Sequence, residues 1–196
     1  MKPSIVIAGL DQEFLGEILQ ELTGESKTID NNPIEWTIDT KYYTADVHLC
    51  PVNTKMLVEE SVANSAQMLI VLIDPVQINS RTKLDSWLPF FSVLSDCEAK
   101  FVVARSISAI AETISKTDIK QWCTEHGYEL LELEKSATSE TDDDDEDENT
   151  HLYRDVYGVP RLMQTLHVHQ WPNMNLKGRM KLFSMTLRNT MILDDE

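Results

Sequence analysis

Apolar residues recur along this chain with two periods, and the changes between them mark its elements. Ser4 to Ala8 is a short, continuous apolar run of β-branched character closed by Gly9, the pattern of a strand buried on both faces. From Asp11, a residue suited to cap a helix, the spacing becomes three and four: Phe14, Leu15, Ile18, Leu19 and Leu22 fall on one face. A polar loop is expected over Gly24 to Pro33. Trp36 to Tyr43 and Ala45 to Val52 read as two strands of a hairpin, with Pro51 marking a frayed end or an edge. Lys55 to Asn64 reads as a helix. Gln67 to Asp74 contains MLIVLI, a second fully buried strand.

From about Thr82 the helical spacing returns, with Leu84, Trp87, Leu88, Phe91 and Leu94 on one face and a kink expected at Pro89. Lys100 to Ala104 is the next strand. Ile107 to Ile114 and Asp118 to His126 read as helical, with Gly127 placed to end the second. Tyr128 to Leu133 is a strand. Past an acidic stretch, Pro160 can open a helix bearing Leu162, Met163 and Leu166, which Pro172 must end. Strands alternating with helices predict an α/β domain with a mostly parallel six-stranded sheet and helices on both faces. The two adjacent early strands supply one antiparallel edge pair. This is the order of Ras-like, P-loop GTPase-like domains. The expected layout is one domain over residues 1–175, an insert at 138–149 with no fixed structure, and a tail or short helix over 176–196.

Composition narrows the function. The formal net charge is −16, which opposes nucleic-acid and anionic-membrane partners alike. Eight acidic residues lie between Glu140 and Glu148, so the rest of the chain carries half that charge. Cys50, Cys97 and Cys123 are odd in number and contain no CxxC, which fits a reducing, cytoplasmic setting without a disulfide framework. No apolar run is long enough for a membrane helix, and the first residues are too weakly apolar for a signal peptide.

The chemistry that a GTPase-like fold calls for is missing from its expected places. A phosphate loop needs G-x-x-x-x-G-K-[ST]; counted from Gly9, its last three positions are Phe14, Leu15 and Gly16. Lys27-Thr28 lacks the upstream glycines, which would fall at Glu21 and Ser26. No glycine occurs between Gly24 and Gly127, so the Asp-x-x-Gly motif is absent. Arg105-Ser106-Ile107-Ser108 stands where a guanine-reading carboxylate is required. His167-Val168-His169 places two histidines at i and i+2, on different faces of a helix, so no metal site is expected. Cys123 and His126 share a helix, but a buried structural cysteine is the expected reading. No catalytic, cofactor or metal residues are assigned.

Three segments carry a resemblance. Trp36 to Cys50 (WTIDTKYYTADVHLC), Gln121 to Leu133 (QWCTEHGYELLEL) followed by the acidic stretch, and Tyr157 to Leu166 (YGVPRLMQTL) through Trp171 are similar to the alpha- and gamma-adaptin-binding protein family. The similarity spans roughly residues 1–175. It implies a Ras-like pseudo-GTPase domain in a non-enzymatic cytosolic chaperone, holding alpha- and gamma-adaptin large subunits of clathrin adaptor complexes during assembly for vesicle traffic and endocytosis. The family's further helical region, tied to adaptor binding and self-association, has only Lys177 to Glu196 as its counterpart, where Met180, Phe183, Leu187 and Met191 fit a helical stripe and Phe183, Met185 and Leu187 fit a strand. The alternative to a binding module is a divergent GTPase-like switch. Trp36, Tyr42 and Tyr43 are the candidate protein-binding residues, against the plainer reading that alternate members of that strand pack in the core.

Overall fold

A computed structural model describes residues 2–25, 29, 32–55, 60–77, 80–105, 115–134 and 158–178. The elements in chain order are β1 (Ser4–Gly9), α1 (Gln12–Thr23), β2 (Ile34–Asp39), β3 (Tyr43–Val52), α2 (Glu60–Ser65), β4 (Ala66–Ile73), α3 (Ser80–Phe91), a 3-10 turn (Ser92–Leu94), β5 (Ala99–Ala104), α4 (Lys116–His126), β6 (Glu129–Glu132), α5 (Val159–Val168) and β7 (Asn175–Leu176). The expected helix over Ile107 to Ile114, the start of the Lys55 helix, the acidic insert, Lys27-Thr28 and the tail stripe lie outside the described residues.

The sheet runs β2-β3-β1-β4-β5-β6. The pairs β1–β3, β1–β4, β4–β5 and β5–β6 are parallel, and β2–β3 is antiparallel. The apolar runs explain this order. β1 sends Ile5 and Ile7 to one face and Val6 and Ala8 to the other, and all four are fully buried. β4 divides in the same way, with Met68, Ile70 and Leu72 opposite Leu69, Val71 and Ile73. Strands buried on both faces need cover on both. Phe14, Leu15, Ile18 and Leu19 of α1 join Leu162 and Leu166 of α5 on one face. Leu84, Trp87 and Phe91 of α3 join Ile119 and Trp122 of α4 on the other.

Among the described residues, the six-stranded expectation is corrected to seven strands. Asn175 and Leu176 pair antiparallel with Thr44 and Tyr43. Thr44 also faces Asp39 of β2, so β7 lies on the other side of β3, in the lane that β1 enters at Ser4. Two residues carry no readable period, and tertiary contacts hold this strand: the Lys177 N–H donates to the Tyr42 carbonyl at 2.7 Å, and the Lys177 ammonium bonds Asp39 and the Thr40 carbonyl. Pro51 is also placed differently from an edge position. β3 is an interior strand, and Pro51 sits past Leu49, where the ladder with β2 has ended. The missing N–H therefore removes no bond to β2. Pro89 lies in the last turn of α3, which ends two residues later at Phe91 and passes into the 3-10 turn.

Candidate functional site

In an open parallel sheet, ligands collect at the carboxyl ends of the strands where the order reverses. Here that point lies at β1 and β4, because β3 extends the sheet on one side of β1 and β4 on the other. The connection from β1 to α1 is only Leu10 and Asp11. Leu10 N–H donates to the Leu72 carbonyl at 3.2 Å, which ties the loop to β4. Gly9 is pressed against the helix, since a Cβ there would stand 2.6 Å from the Leu15 Cβ.

Asp11 occupies the place where the N-terminus of α1 would receive an external anion. Its Oδ1 accepts the Phe14 N–H at 2.8 Å, and its Oδ2 accepts Gln77 Nε2 at 2.6 Å. Gln77 in turn accepts Lys83 Nζ at 3.2 Å. The Gln77 bond first and the Phe14 N–H second hold the Asp11 carboxyl below the usual carboxylate range. A helix N-terminus attracts negative charge through its free N–H groups and dipole. Here the chain supplies that charge itself.

The other motif positions are filled by packing. Phe14 and Leu15 are buried beneath α1. Arg105, at the end of β5, lays its guanidinium 4.6 Å from the Phe14 ring centroid and bridges Glu17 Oε2 at 2.6 Å. The cation that stands in the base-reading position is thus engaged with α1. Sequence reading identifies Asp11 as a cap. Gln77 gives no comparable signal, because it lies 66 residues away in the turn after β4.

Elsewhere the reactive groups are turned inward. Burial pushes the thiols of Cys50, Cys97 and Cys123 up to about 11, so each is protonated and weakly nucleophilic near neutrality. His126 does not face Cys123 as a base; its Nδ1 lies 2.9 Å from the Trp122 carbonyl and its ring stacks on Trp122. His169 turns in against Trp171, with ring centroids 4.5 Å apart, while Val168 points outward. Among the described residues, no group of three potential metal ligands occurs, and no helix is long and apolar enough to cross a membrane.

The three aromatic candidates have separate environments. Thr40 ends β2 by turning the chain: its Oγ1 accepts the N–H groups of Tyr42 and Tyr43 and donates to the Tyr43 carbonyl. Tyr42 therefore projects from the turn, 55% exposed, with the Lys41 ammonium 5.8 Å from its ring. Tyr43 starts β3 and points into the core, where its hydroxyl donates to the His167 carbonyl at 2.8 Å. Trp36 is half-buried against the α1–α5 face.

Fold and site together define an α/β domain in which the chain's own Asp11 carboxylate caps the first helix at the switch point of the sheet. No protein-family model matches the chain. The chain is similar in sequence to alpha- and gamma-adaptin-binding proteins. It is 32% identical over 184 residues to "Alpha- and gamma-adaptin-binding protein p34" of Homo sapiens and to that of Pongo abelii, covering 90% of this chain and 55% of each relative. It is 34% identical over 143 residues to the Mus musculus protein of the same name, covering 73% of this chain and 42% of the relative. The chain thus spans about half the length of these relatives.

Proposed function

We infer that this chain is a non-enzymatic binding module for the alpha- and gamma-adaptin large subunits of clathrin adaptor complexes, built on a Ras-like pseudo-GTPase scaffold. The names of its relatives support the partner class, and the strand order with one antiparallel edge strand supports the scaffold. The observation that carries the non-nucleotide part is the Asp11 carboxylate bonded to the first turn of α1. A phosphate brought there would meet a like charge and a helix donor already in use. The role fits a cytosolic chaperone: an unassembled large subunit exposes apolar surface that its partners later bury, and covering it prevents aggregation. Tyr42, on its exposed turn, and Trp36, half-buried on β2, are the residues proposed to reach such a partner.

Two measurements test this reading. Co-expression with each large adaptin subunit, followed by size exclusion, should give a soluble co-eluting complex with alpha- or gamma-adaptin; neither co-elution nor a gain in solubility would overturn it. Titration with labelled GTP and magnesium should show no saturable binding in the micromolar range. Saturable binding there would favour a nucleotide switch.

A further inference from the structure

The turn between β2 and β3 is not specified by its own residues. Thr40 and Tyr43 close it, the Thr40 N–H donating to the Tyr43 carbonyl at 2.9 Å, so the connection is Lys41 and Tyr42. Two-residue hairpin loops favour glycine, asparagine or aspartate, and neither of these residues is of that kind. Bonds from elsewhere supply what the loop lacks. Thr40 Oγ1 accepts the Tyr42 and Tyr43 N–H groups at 3.2 and 3.0 Å. The other fastenings come from the far end of the chain. Lys177, following β7, donates its N–H to the Tyr42 carbonyl at 2.7 Å. Its ammonium bonds the Asp39 carboxylate and, at 2.9 Å, the Thr40 carbonyl. Lys177 is itself held by the segment that brings it there. Trp171 is buried and donates Nε1 to the Leu166 carbonyl at 3.0 Å, and Asn173 Nδ2 donates to the Asp46 carbonyl at 2.7 Å.

We propose that Lys177 is the positioning residue of the Tyr42 contact: it locks the β2–β3 turn so that the exposed ring meets a protein partner in one fixed presentation. Hairpin tips on a protein surface are ordinarily among its most mobile parts. This tip is fastened at Asp39, Thr40, Tyr42 and Tyr43, yet it leaves the Tyr42 ring outside the core. A tyrosine ring offers a large contact area through only two rotatable bonds, so with the backbone beneath it already held, little freedom remains to be lost on binding. The ammonium of Lys177 is the part of the clasp that spans the turn, reaching Asp39 and Thr40 on the β2 side while the backbone of the same residue holds Tyr42. The proposal rests on the adaptor reading for the identity of the partner, and on the clasp alone for the state of the turn.

The test uses the full chain with Lys177→Met, which keeps the backbone N–H and loses the ammonium, and Lys177→Arg, which keeps a charged donor. The first readout needs no partner. Amide hydrogen exchange at Tyr42 and Tyr43, followed by NMR, should speed up several-fold in Lys177→Met and return towards wild type in Lys177→Arg, with Ile5 and Ile70 in the central strands unchanged. Unchanged exchange at the turn, or an equal rise at Ile5 and Ile70, would overturn the proposal. The second readout is a double-mutant cycle on affinity for the alpha- or gamma-adaptin large subunit. Lys177→Met should weaken binding several-fold when Tyr42 is present and leave it unchanged in a Tyr42→Ala background. An equal loss in both backgrounds, or no loss in either, would show that Lys177 does not act through Tyr42. If wild type binds neither subunit, the adaptor reading fails, and hydrogen exchange still decides whether Lys177 holds the turn.

Discussion

Asp11 joins three parts of the chain: the exit of β1, the start of α1 and the turn after β4. Replacing it with alanine leaves the Phe14 N–H and the Gln77 amide without their acceptor, and the expected loss is about 1–2 kcal/mol. Asparagine keeps a capping oxygen and should lose less than half of that. Urea unfolding of both variants at pH 7 gives the comparison. Because the folded carboxyl titrates below its ordinary value, this contribution is full above the unfolded pKa and fades as pH falls through the folded one. His169 is also depressed, by burial first, with Glu98 opposing. Protonation is then favoured in the unfolded chain, so stability holds above the ordinary value of 6.5 and declines as pH falls below it. The denaturation midpoint of wild type should drop between pH 7.5 and 5.5, and His169→Phe should flatten that drop. At this scale the sequence is readable where the partner is close by. The Asp11 cap meets Phe14 three positions on, whereas Gln77 and the Trp171 ring against His169 depend on the completed fold. Trp36, Tyr42 and Tyr43 look alike as residue types, and only the Thr40 turn separates the buried tyrosine from the exposed one.

Among the elements, β1, β4 and β5 are legible because both of their faces are apolar, and no other element fits a short run of that kind. β2 and β3 are legible as a hairpin, but their turn is not, since a threonine hydroxyl closes it without glycine or asparagine. β7 is invisible for the opposite reason, being two residues long and held from outside. The docking of α5 is legible as an apolar stripe on Leu162 and Leu166, though its fastening to β3 is not. That fastening is the Tyr43 hydroxyl on the His167 carbonyl, near the last turn of α5, where helix carbonyls lack partners of their own. Tyr43→Phe removes the donor and nothing else. The expected cost is about 1 kcal/mol, read as a lower denaturant midpoint with an unchanged slope.

For the molecule as a whole, two cores flank one sheet, and the charge is unevenly distributed along the chain. With a net charge of −16, self-repulsion opposes the compact state and salt relieves it. Deleting Thr138 to Asn149 removes half of that charge. The melting temperature at physiological salt should change little, and its rise between low and high salt should shrink; a large drop on deletion would make the insert structural. The closing of the sheet has a further consequence for biosynthesis. β1, β3 and β4 are made early, yet the α1–α5 core lacks Leu162, Leu166 and Trp171 until those late residues leave the ribosome, and β7 comes later still. A nascent chain halted before Val159 would therefore leave Met68 and Phe101, on the part of that face bordered by α5, open to their surroundings, while the α3–α4 core is already complete. Such arrested chains should recruit general chaperones through that one face.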